Sequence, residues 1–182
     1  MEEKISVHKN DKPSQFLVDN VDLLPKGRAL DIATGRGRNA VFLASSGFQV
    51  DGIDISAEAL KEADELAAQS NVQLSTIVAD LEKEHYIERG VYDLIVCFNY
   101  LQRSLIPDIK NGLRVGGVIV YETYIVDQAK FGRPSNPYHL LKHNELLDMF
   151  RDFRCLRYHE GVINDQKAVA GIIAEKLKNK RR

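Results

Sequence analysis

Two glycines and three carboxylates are the residues of this 182-residue chain whose types and spacing indicate chemistry. Asp31 stands inside a short apolar run, and the sequence Gly35-x-Gly37 begins four residues later. Burying a lone carboxylate costs on the order of several kcal/mol, so the fold must supply it with a partner. Glycines at the end of a strand permit a sharp turn and let backbone N–H groups approach a ligand closely. The pattern predicts a polar ligand site above the end of this strand.

Two further acids follow later apolar runs. Asp54 ends the second run, and Asp80 follows the third. The carboxyl ends of parallel strands meet at one edge of a sheet, where open α/β sheets bind ligands and a carboxylate can act as a hydrogen-bond acceptor. This arrangement favours a cofactor that carries adenosine. Each acid also has a structural interpretation, since Asp54 could cap the helix that begins after Ser56 and Asp80 could be a solvated loop residue.

The composition is that of a globular protein without a strong charge field. Hydrophobic residues make up 44% of the chain and charged residues 28%, and the net charge is −1. This excludes a global basic surface for nucleic acid, and no apolar run reaches the length of a membrane span or of a signal peptide core. We therefore expect a cytoplasmic protein whose residues 1–182 form a single domain, with 1–12 as a flexible lead segment. Cys97 and Cys155 are expected to be buried free thiols.

Alternating helix and strand periodicities describe the elements that must position these residues. Helices are predicted at 13–24, 39–46, 58–69, 106–113 and 144–151, and strands at 28–33, 49–55, 72–79, 92–98, 118–124, 153–160 and 168–177. The last two strands form a hairpin with a turn near 164–166. The order predicts an α/β fold, a three-layer Rossmann-like sandwich whose seven-stranded, mostly parallel sheet has one antiparallel strand from that C-terminal hairpin. Ser56 and Asn144 are expected to cap the helices that follow them, and 125–143 to be a long substrate-side loop.

Taken as a set, the motifs resemble class I S-adenosylmethionine-dependent methyltransferases. The residues that carry this resemblance are Asp31-x-x-x-Gly35-x-Gly37, Asp54 and Ala79-Asp80-Leu81. Three further stretches are similar to the small methyltransferases of the tellurite-resistance (TehB-like) group, namely residues 35–40, 121–123 and 140–147. Thr34 departs from the cysteine that many relatives carry at that position. The resemblance covers residues 13–178 and implies methyl transfer from S-adenosylmethionine, with S-adenosylhomocysteine as the product.

The resemblance also implies roles for individual residues. Gly35 and Gly37 would let the backbone approach the methionine part of the cofactor, and Asp31 would accept from its amino group. Asp54 would bind both ribose hydroxyls. The remaining cofactor-binding expectations are the Asp80 carboxylate and the Leu81 N–H at the adenine ring, Ile55 and Phe98 against that ring, Thr34 in the turn, and Arg38 and Asn39 at the helix start. For Arg38, a solvated surface charge is an equal alternative.

The methyl acceptor is expected to bind beyond the cofactor, in residues that follow the fourth and fifth strands. The candidates are Asn99, Tyr100, Glu122 and Tyr124, together with Phe131, Arg133, Asn136, Tyr138 and His139 in the long loop. Because a sulfonium is already an activated leaving group, alignment supplies much of the rate, and no residue is assigned as catalytic. The five histidines show no metal-ligand spacing, so no metal site is expected. The expected acceptor is a small molecule.

Two other functions remain open at the level of sequence. Gly35-x-Gly37-x-x-Ala40 also fits a dinucleotide pattern, which would make the chain an NAD(P)-dependent oxidoreductase. The acid Asp31 and the C-terminal hairpin argue against that alternative. The chain could also be a non-catalytic protein that binds S-adenosylmethionine. No nucleic-acid or membrane partner is expected, and either a monomer or a homodimer agrees with the sequence.

Overall fold

A computed structural model describes residues 12–83 and 86–178 of the chain. The helices are α1 (Gln15–Asn20), α2 (Arg38–Ser45), α3 (Ala57–Gln69), α4 (Ile106–Gly112) and α5 (Glu145–Met149). The strands are β1 (Arg28–Ile32), β2 (Gln49–Asp54), β3 (Ser75–Val78), β4 (Tyr92–Phe98), β5 (Leu113–Tyr124), β6 (Arg154–Ile163) and β7 (Lys167–Glu175). Four short 3-10 helices lie at Val21–Leu23, Arg103–Leu105, Val126–Lys130 and Pro137–His139. Within the described residues, no helix is long and apolar enough to cross a bilayer.

One seven-stranded sheet organises the molecule in the order β3-β2-β1-β4-β5-β7-β6. The pairs among β1 to β5 are parallel, whereas β7 runs antiparallel to both β5 and β6. Six strands thus point one way and only β7 is reversed, which confirms the predicted fold class. The carboxyl ends of β1, β2, β3, β4 and β5 meet at one edge of the sheet.

The central strands are buried on both faces because two apolar layers cover the sheet. One core contains Leu30 and Ile32 of β1, and the opposite core contains Ala29 of the same strand. Neighbouring positions of a strand point to opposite faces, so β1 needs apolar residues at nearly every position. Asp31 interrupts this pattern on the face of Ala29, and it is 2% exposed. The fold therefore places a carboxylate where packing alone would favour an apolar side chain.

Several element boundaries differ from those that the sequence predicts. β5 begins at Leu113, five residues earlier than predicted, and Gly116-Gly117 lie inside it. A Cβ on Gly117 would lie 2.9 Å from a carbonyl oxygen of Arg114, so tight backbone contacts explain that glycine. β3 has only the four residues Ser75–Val78, because it is a half-exposed edge strand with little apolar area to bury. The first helix ends at Asn20 and continues only as a 3-10 turn.

One prediction about a single residue is confirmed in part, and another is wrong. Asn144 is the N-cap residue of α5, as predicted, but its side chain makes no capping hydrogen bond; it adopts a left-handed conformation with φ of 62°, and its backbone N–H donates to Glu160. Cys155 is exposed, because it lies near the start of the edge strand β6, whereas Cys97 is buried in β4 as expected. The cap at Ser56 is confirmed, since its Oγ accepts the Ala59 N–H at 3.1 Å.

The C-terminal part of the fold agrees with the predicted hairpin, and the long loop before it is more ordered than expected. β6 and β7 pair over nearly their full lengths and are joined by the turn at 164–166. The segment 125–143 contains two short 3-10 helices and an isolated bridge between Ile125 and Leu141. Of the predicted lead segment 1–12, all but Lys12 lies outside the described residues.

Candidate functional site

The turn between β1 and α2 contains two glycines, and each position requires glycine for a different physical reason. Gly35 and Gly37 both have positive φ, 54° and 80°. A Cβ on Gly37 would lie 2.6 Å from the Cβ of Ala63, so this glycine lets α2 pack against α3. A Cβ on Gly35 would meet no atom within 4 Å. The backbone conformation at position 35 thus favours glycine. The space beside Gly35 is open.

Asp54 at the end of β2 is tied to that same turn. Its Oδ2 accepts the backbone N–H of Gly35 at 2.8 Å, and its Oδ1 accepts the N–H of Ser56 at 2.9 Å. An ionised carboxylate has about four acceptor positions, so half of its capacity remains for another partner. Asp54 does not cap α3, because Ser56 does so and Asp54 accepts, at that helix end, only the N–H of Ser56 itself; its structural role is to join the two turns, which leaves room for a ligand as well.

Asp31 is the most unusual polar group of the site. Its Oδ2 is buried and has no hydrogen-bond partner among the described residues. Burial raises the pKa of this carboxyl to about 7, although the charge of Arg38 and the backbone N–H of Ala40 partly offset the effect. An unpartnered buried oxygen in a native fold calls for a ligand or another explanation. The atom lies beside the start of α2, whose first N–H groups favour negative charge.

Residues near Asp31 make hydrogen bonds that stabilise the turn after β1 and the segment that precedes α1. Thr34 Oγ1 donates to the carbonyl oxygen of Asp31 at 2.7 Å, which closes the turn. Asn39 is buried, and its Oδ1 accepts the backbone N–H of Ser14 at 2.8 Å. Arg38 Nη1 donates to the carbonyl oxygen of Lys12 at 3.1 Å. Arg38 and Asn39 thus anchor the segment that precedes α1, a role that sequence reasoning missed.

A smaller cavity of about 320 Å³ opens beyond the ends of β2 and β3. It is lined by Ala33, Ile53, Asp54, Ile55, Ala79, Asp80, Leu81, Glu82 and Tyr100. Ile55 is 67% exposed, so a large apolar side chain faces outward beside the two acids. Asp80 accepts hydrogen bonds from Lys83 and from the Glu82 N–H, which lower the pKa of its carboxyl. This cavity brings together Asp54, Ile55, Asp80 and Leu81, which the resemblance assigns to ribose and adenine, whereas Phe98, the other residue expected at the adenine ring, lines the neighbouring cavity.

A larger cavity of about 660 Å³ lies above the glycine turn. Its lining includes Gly35, Arg38, Asn39, Phe98, Asn99 and Tyr100. Ala33 and Tyr100 line both cavities, so the two form neighbouring parts of one groove. Asn99 follows β4 in a left-handed conformation with φ of 56°, and its N–H donates to the carbonyl oxygen of Glu122 at 2.9 Å. The structure therefore places Asn99 and Tyr100 next to the expected cofactor residues.

Gln102 is a site residue that sequence reasoning missed. Its Oε1 accepts the hydroxyl of Tyr100 at 2.5 Å, and its Nε2 donates to the carbonyl oxygen of Leu81 at 2.9 Å. It therefore connects the residues after β4 to the loop after β3. Burial raises the pKa of Tyr100 to about 12, so this phenol remains a hydrogen-bond donor at neutral pH. No local pattern signals this role, because it depends on two loops meeting in space.

The candidates in the long loop are not among the residues that line these two cavities. Arg133, Tyr138 and His139 are exposed, Tyr138 by 82%. Arg103 holds their segment by donating to the carbonyl oxygens of Tyr138 and Leu140, at 3.0 and 2.9 Å, and it also pairs with Glu145. The remaining candidates of this segment, Phe131 and Asn136, are exposed as well, and Tyr124 is half-buried.

Among the acceptor-side candidates, Glu122 is buried and has charged or titratable side chains close to its carboxylate. It is 4% exposed at the end of β5. His159 Nε2 lies 3.1 Å from its Oε2, and Lys167 Nζ lies 3.4 Å from its Oε1. Burial alone would raise the pKa of Glu122, but the contacts with His159 and Lys167 lower it below its ordinary value. The carboxylate is therefore ionised at neutral pH.

Comparison with known protein families gives one match that spans nearly the whole chain. The family model described as Tellurite resistance protein TehB matches residues 7–178. A curated relative from Haemophilus influenzae (strain ATCC 51907), named "Probable S-adenosyl-L-methionine-dependent methyltransferase TehB", is 26% identical over 154 residues, which are 80% of this chain and 52% of the relative. A ubiquinone biosynthesis O-methyltransferase from Burkholderia thailandensis is 30% identical over 105 residues, 55% of this chain and 45% of that protein. The chain spans about half the length of these curated relatives.

The solved structures agree with the fold. The crystal structure of TehB from Haemophilus influenzae superposes with a TM-score of 0.76 at 22% identity, covering 90% of this chain and 62% of that one. At 22% identity this match shows that the two chains share a fold, and it does not show that they catalyse the same reaction. The name of the Haemophilus influenzae relative agrees with the enzyme class and the cofactor that the resemblance implies, and the name of the Burkholderia thailandensis relative agrees with the enzyme class.

Proposed function

We propose that this chain, which belongs to the Tellurite resistance protein TehB family, binds S-adenosylmethionine and transfers its methyl group to a small-molecule acceptor. The observation that carries the proposal is the buried Oδ2 of Asp31, which has no partner among the described residues. A cationic amino group is the natural partner for such an oxygen, since charge-assisted hydrogen bonds are the strong ones. The amino group of the methionine part of the cofactor supplies that cation.

The residues present fit the rest of the cofactor. Asp54 has free acceptor capacity for the ribose hydroxyls beside the open space at Gly35. Asp80 and the Leu81 N–H would bind the edge of the adenine ring, with the exposed side chain of Ile55 against its face. Phe98 would line the pocket from β4, Thr34 and Gly37 would keep the turn in shape, and Arg38 and Asn39 would close the site at the methionine end.

The task left to the chain is alignment of the acceptor. When bound, the cofactor supplies an activated methyl group on sulfur, so holding the acceptor in line with that carbon accounts for much of the rate. Asn99 and Tyr100 border the groove on the side of β4 and are the nearest polar residues for this task. A small molecule is the acceptor class that agrees best with a net charge of −1, because nucleic-acid substrates favour basic surfaces.

The test is a methyl-transfer assay with S-adenosylmethionine labelled on the methyl group. The acceptor panel contains small thiols, phenols and oxyanions, with RNA and a protein mixture as further arms. We expect label to move to at least one small acceptor and not to RNA or protein. Label only in RNA or protein would contradict the small-molecule acceptor, and cofactor binding without transfer in every arm would favour a non-catalytic protein.

A further inference from the structure

The segment before α1 lies against the larger cavity through two hydrogen bonds to the start of α2. The backbone N–H of Ser14 donates to Oδ1 of Asn39 at 2.8 Å, and the carbonyl oxygen of Lys12 accepts Arg38 Nη1 at 3.1 Å. Arg38 and Asn39 are the first two residues of α2, and both line that cavity. Residues 12–14 therefore act on the groove through two side chains that line it.

The bond from Ser14 decides which end of the Asn39 amide faces the groove. A backbone N–H can only donate, so the atom that it meets is the carbonyl oxygen of the amide and not the NH₂ group. Asn39 is 5% exposed. Its Nδ2 makes no hydrogen bond to the described residues and is not fully buried, so two N–H donors remain open to the cavity that Asn39 lines.

The same end of the groove holds one buried acid and one cation. Oδ2 of Asp31 is buried without a partner among the described residues, and the charge of Arg38 is close enough to lower the pKa of that carboxyl. The Lys12 carbonyl accepts from one nitrogen of Arg38 and leaves the guanidinium with further donors. The amino-acid end of a ligand needs such a set, because its ammonium group requires an acid and its carboxylate requires cationic or N–H donors.

We propose that the backbone N–H of Ser14 is a positioning group of the cofactor site, which holds the Asn39 NH₂ toward the groove and so selects ligands that carry a carboxylate. This inference rests on the proposed function and adds to it a determinant of ligand specificity. Ser14 acts through Asn39, whereas Asn39 and Arg38 contact the ligand carboxylate. Without the bond from Ser14, the amide is free to turn and to present its oxygen, which repels a carboxylate.

Proline at position 14 removes this N–H while the backbone keeps its conformation. Ser14 has φ of −58° and ψ of 129°, angles that proline adopts. A ring carbon replaces the hydrogen, so the Asn39 oxygen loses its donor and the amide turns away. Gln15→Pro is the matched control. Gln15 is the first residue of α1, where a helix has no use for the N–H, and Ser14 before it is extended, as proline requires.

Two ligands that differ only in the carboxylate test the inference by calorimetry. S-adenosylhomocysteine carries it, and S-adenosyl-3-thiopropylamine lacks it but keeps the amino group, the thioether and the adenosine. We expect the wild-type protein to prefer S-adenosylhomocysteine. Ser14→Pro should lower this preference by about 10- to 100-fold, the contribution of one hydrogen bond to a charged group, while Gln15→Pro should retain it.

Asn39→Asp tests the same amide without a proline. Its carboxylate still accepts the Ser14 N–H, but an oxygen replaces the NH₂ group. We expect this variant to lose the preference for S-adenosylhomocysteine at least as strongly as Ser14→Pro, because its negative charge repels the ligand carboxylate. Ser14→Ala is the conservative variant at position 14. It removes the hydroxyl and keeps the N–H, so the preference should remain.

The two ligands distinguish a specific role of Ser14 from a structural one. Equal weakening of both ligands by Ser14→Pro would show that Ser14 only supports the fold of the site, which contradicts the inference. A preserved preference in Asn39→Asp would contradict it as well. Equal affinity of the wild-type protein for both ligands would overturn carboxylate selection but not the proposed function, whereas binding of neither ligand would overturn the proposed function itself.

Discussion

The carboxylate of Asp54 accepts the backbone N–H of Gly35 at 2.8 Å and so joins the end of β2 to the turn after β1. This bond prepares the site in two ways. It fixes the left-handed conformation of Gly35, and it holds the carboxylate at the mouth of the groove, with its remaining lone pairs available to hydroxyl groups. The turn and the acid therefore form a single unit, and a change in either affects both.

Substitution of Asp54 by asparagine tests this unit. The amide would place an NH₂ group against the N–H of Gly35 or of Ser56, and it would also lose charge-assisted bonds to the ribose. At about 1.5–3 kcal/mol for each such bond, we expect affinity for S-adenosylhomocysteine to fall by about 10- to 100-fold in calorimetry. Asp64→Asn, on the exposed face of α3, is the control and should bind normally. Equal affinities of the two variants for S-adenosylhomocysteine would show that Asp54 does not bind the cofactor.

Asp31 predicts an unusual dependence of stability on pH. The pKa of this carboxyl is about 7 in the folded protein and 3.8 in the unfolded chain, so the folded state binds more protons between these values. The free energy of unfolding therefore falls as the pH rises from about 4 to about 7, by about 4 kcal/mol at 1.36 kcal/mol per pKa unit. The stabilising contribution is complete below the unfolded pKa and lost above the folded one.

Urea denaturation of Asp31→Asn against the wild-type protein measures this contribution. The variant has no carboxyl to titrate, so the difference between the two unfolding free energies should change by about 4 kcal/mol across this pH range. The variant gains relative stability as the pH rises from about 4 to about 7 and keeps that gain above pH 7, while its affinity for the cofactor is reduced. If the unfolding free energies of the two proteins changed with pH in parallel, burial would not raise the pKa of Asp31.

Gly35 and Gly47 form a matched pair for separating backbone strain from ligand contact. Both have positive φ, 54° and 88°, and a Cβ on either would meet no atom within 4 Å. Alanine should therefore cost each position a similar amount, about 1–2 kcal/mol of stability. Only Gly35→Ala should weaken cofactor binding, by tenfold or more. If both variants bind the cofactor as the wild-type protein does, the backbone at Gly35 does not contact it.

Much of the cofactor side follows from the sequence because its signals are local. Asp54 ends β2, and the glycine turn and Asp80 follow β1 and β3 within a few residues; parallel strands bring such positions to one edge without further information. The Ser56 cap is equally local, since the accepting hydroxyl and the donating N–H are three residues apart.

The remaining features depend on contacts that a single strand or loop does not encode. The contact between Glu122 and His159 requires the register of β5, β7 and β6, and it also requires the missing Cβ of Gly171. The alternation of apolar and polar residues in its strand predicts that Cys155 is a core residue. It is exposed because β6 lies at the edge of the sheet. Asn144 lies at the N-cap of α5 as predicted, but the local sequence does not reveal its left-handed conformation, which differs from the extended one in which an N-cap side chain usually accepts.

Gln102 offers a test of the connection between the two loops of the groove. Gln102→Ala removes the hydrogen bond to the Leu81 carbonyl and the one from the Tyr100 hydroxyl. Because a neutral hydrogen bond contributes about 0.5–1.5 kcal/mol, we expect cofactor affinity to fall by about two- to tenfold. Ser104→Ala is the control, since this hydroxyl accepts a hydrogen bond from the Gln102 amide at 3.2 Å and Ser104 is not among the residues that line the two cavities. Identical binding by both variants would limit Gln102 to a structural role.

The central claim is that this groove binds S-adenosylmethionine, and isothermal titration calorimetry of the folded wild-type protein tests it most directly. S-adenosylhomocysteine and NADH are titrated separately under the same conditions. We predict saturable one-site binding of S-adenosylhomocysteine, which Asp31→Asn weakens, and no binding of NADH. Absence of heat with S-adenosylhomocysteine at every temperature tried, or saturable binding of NADH in its place, would contradict the account.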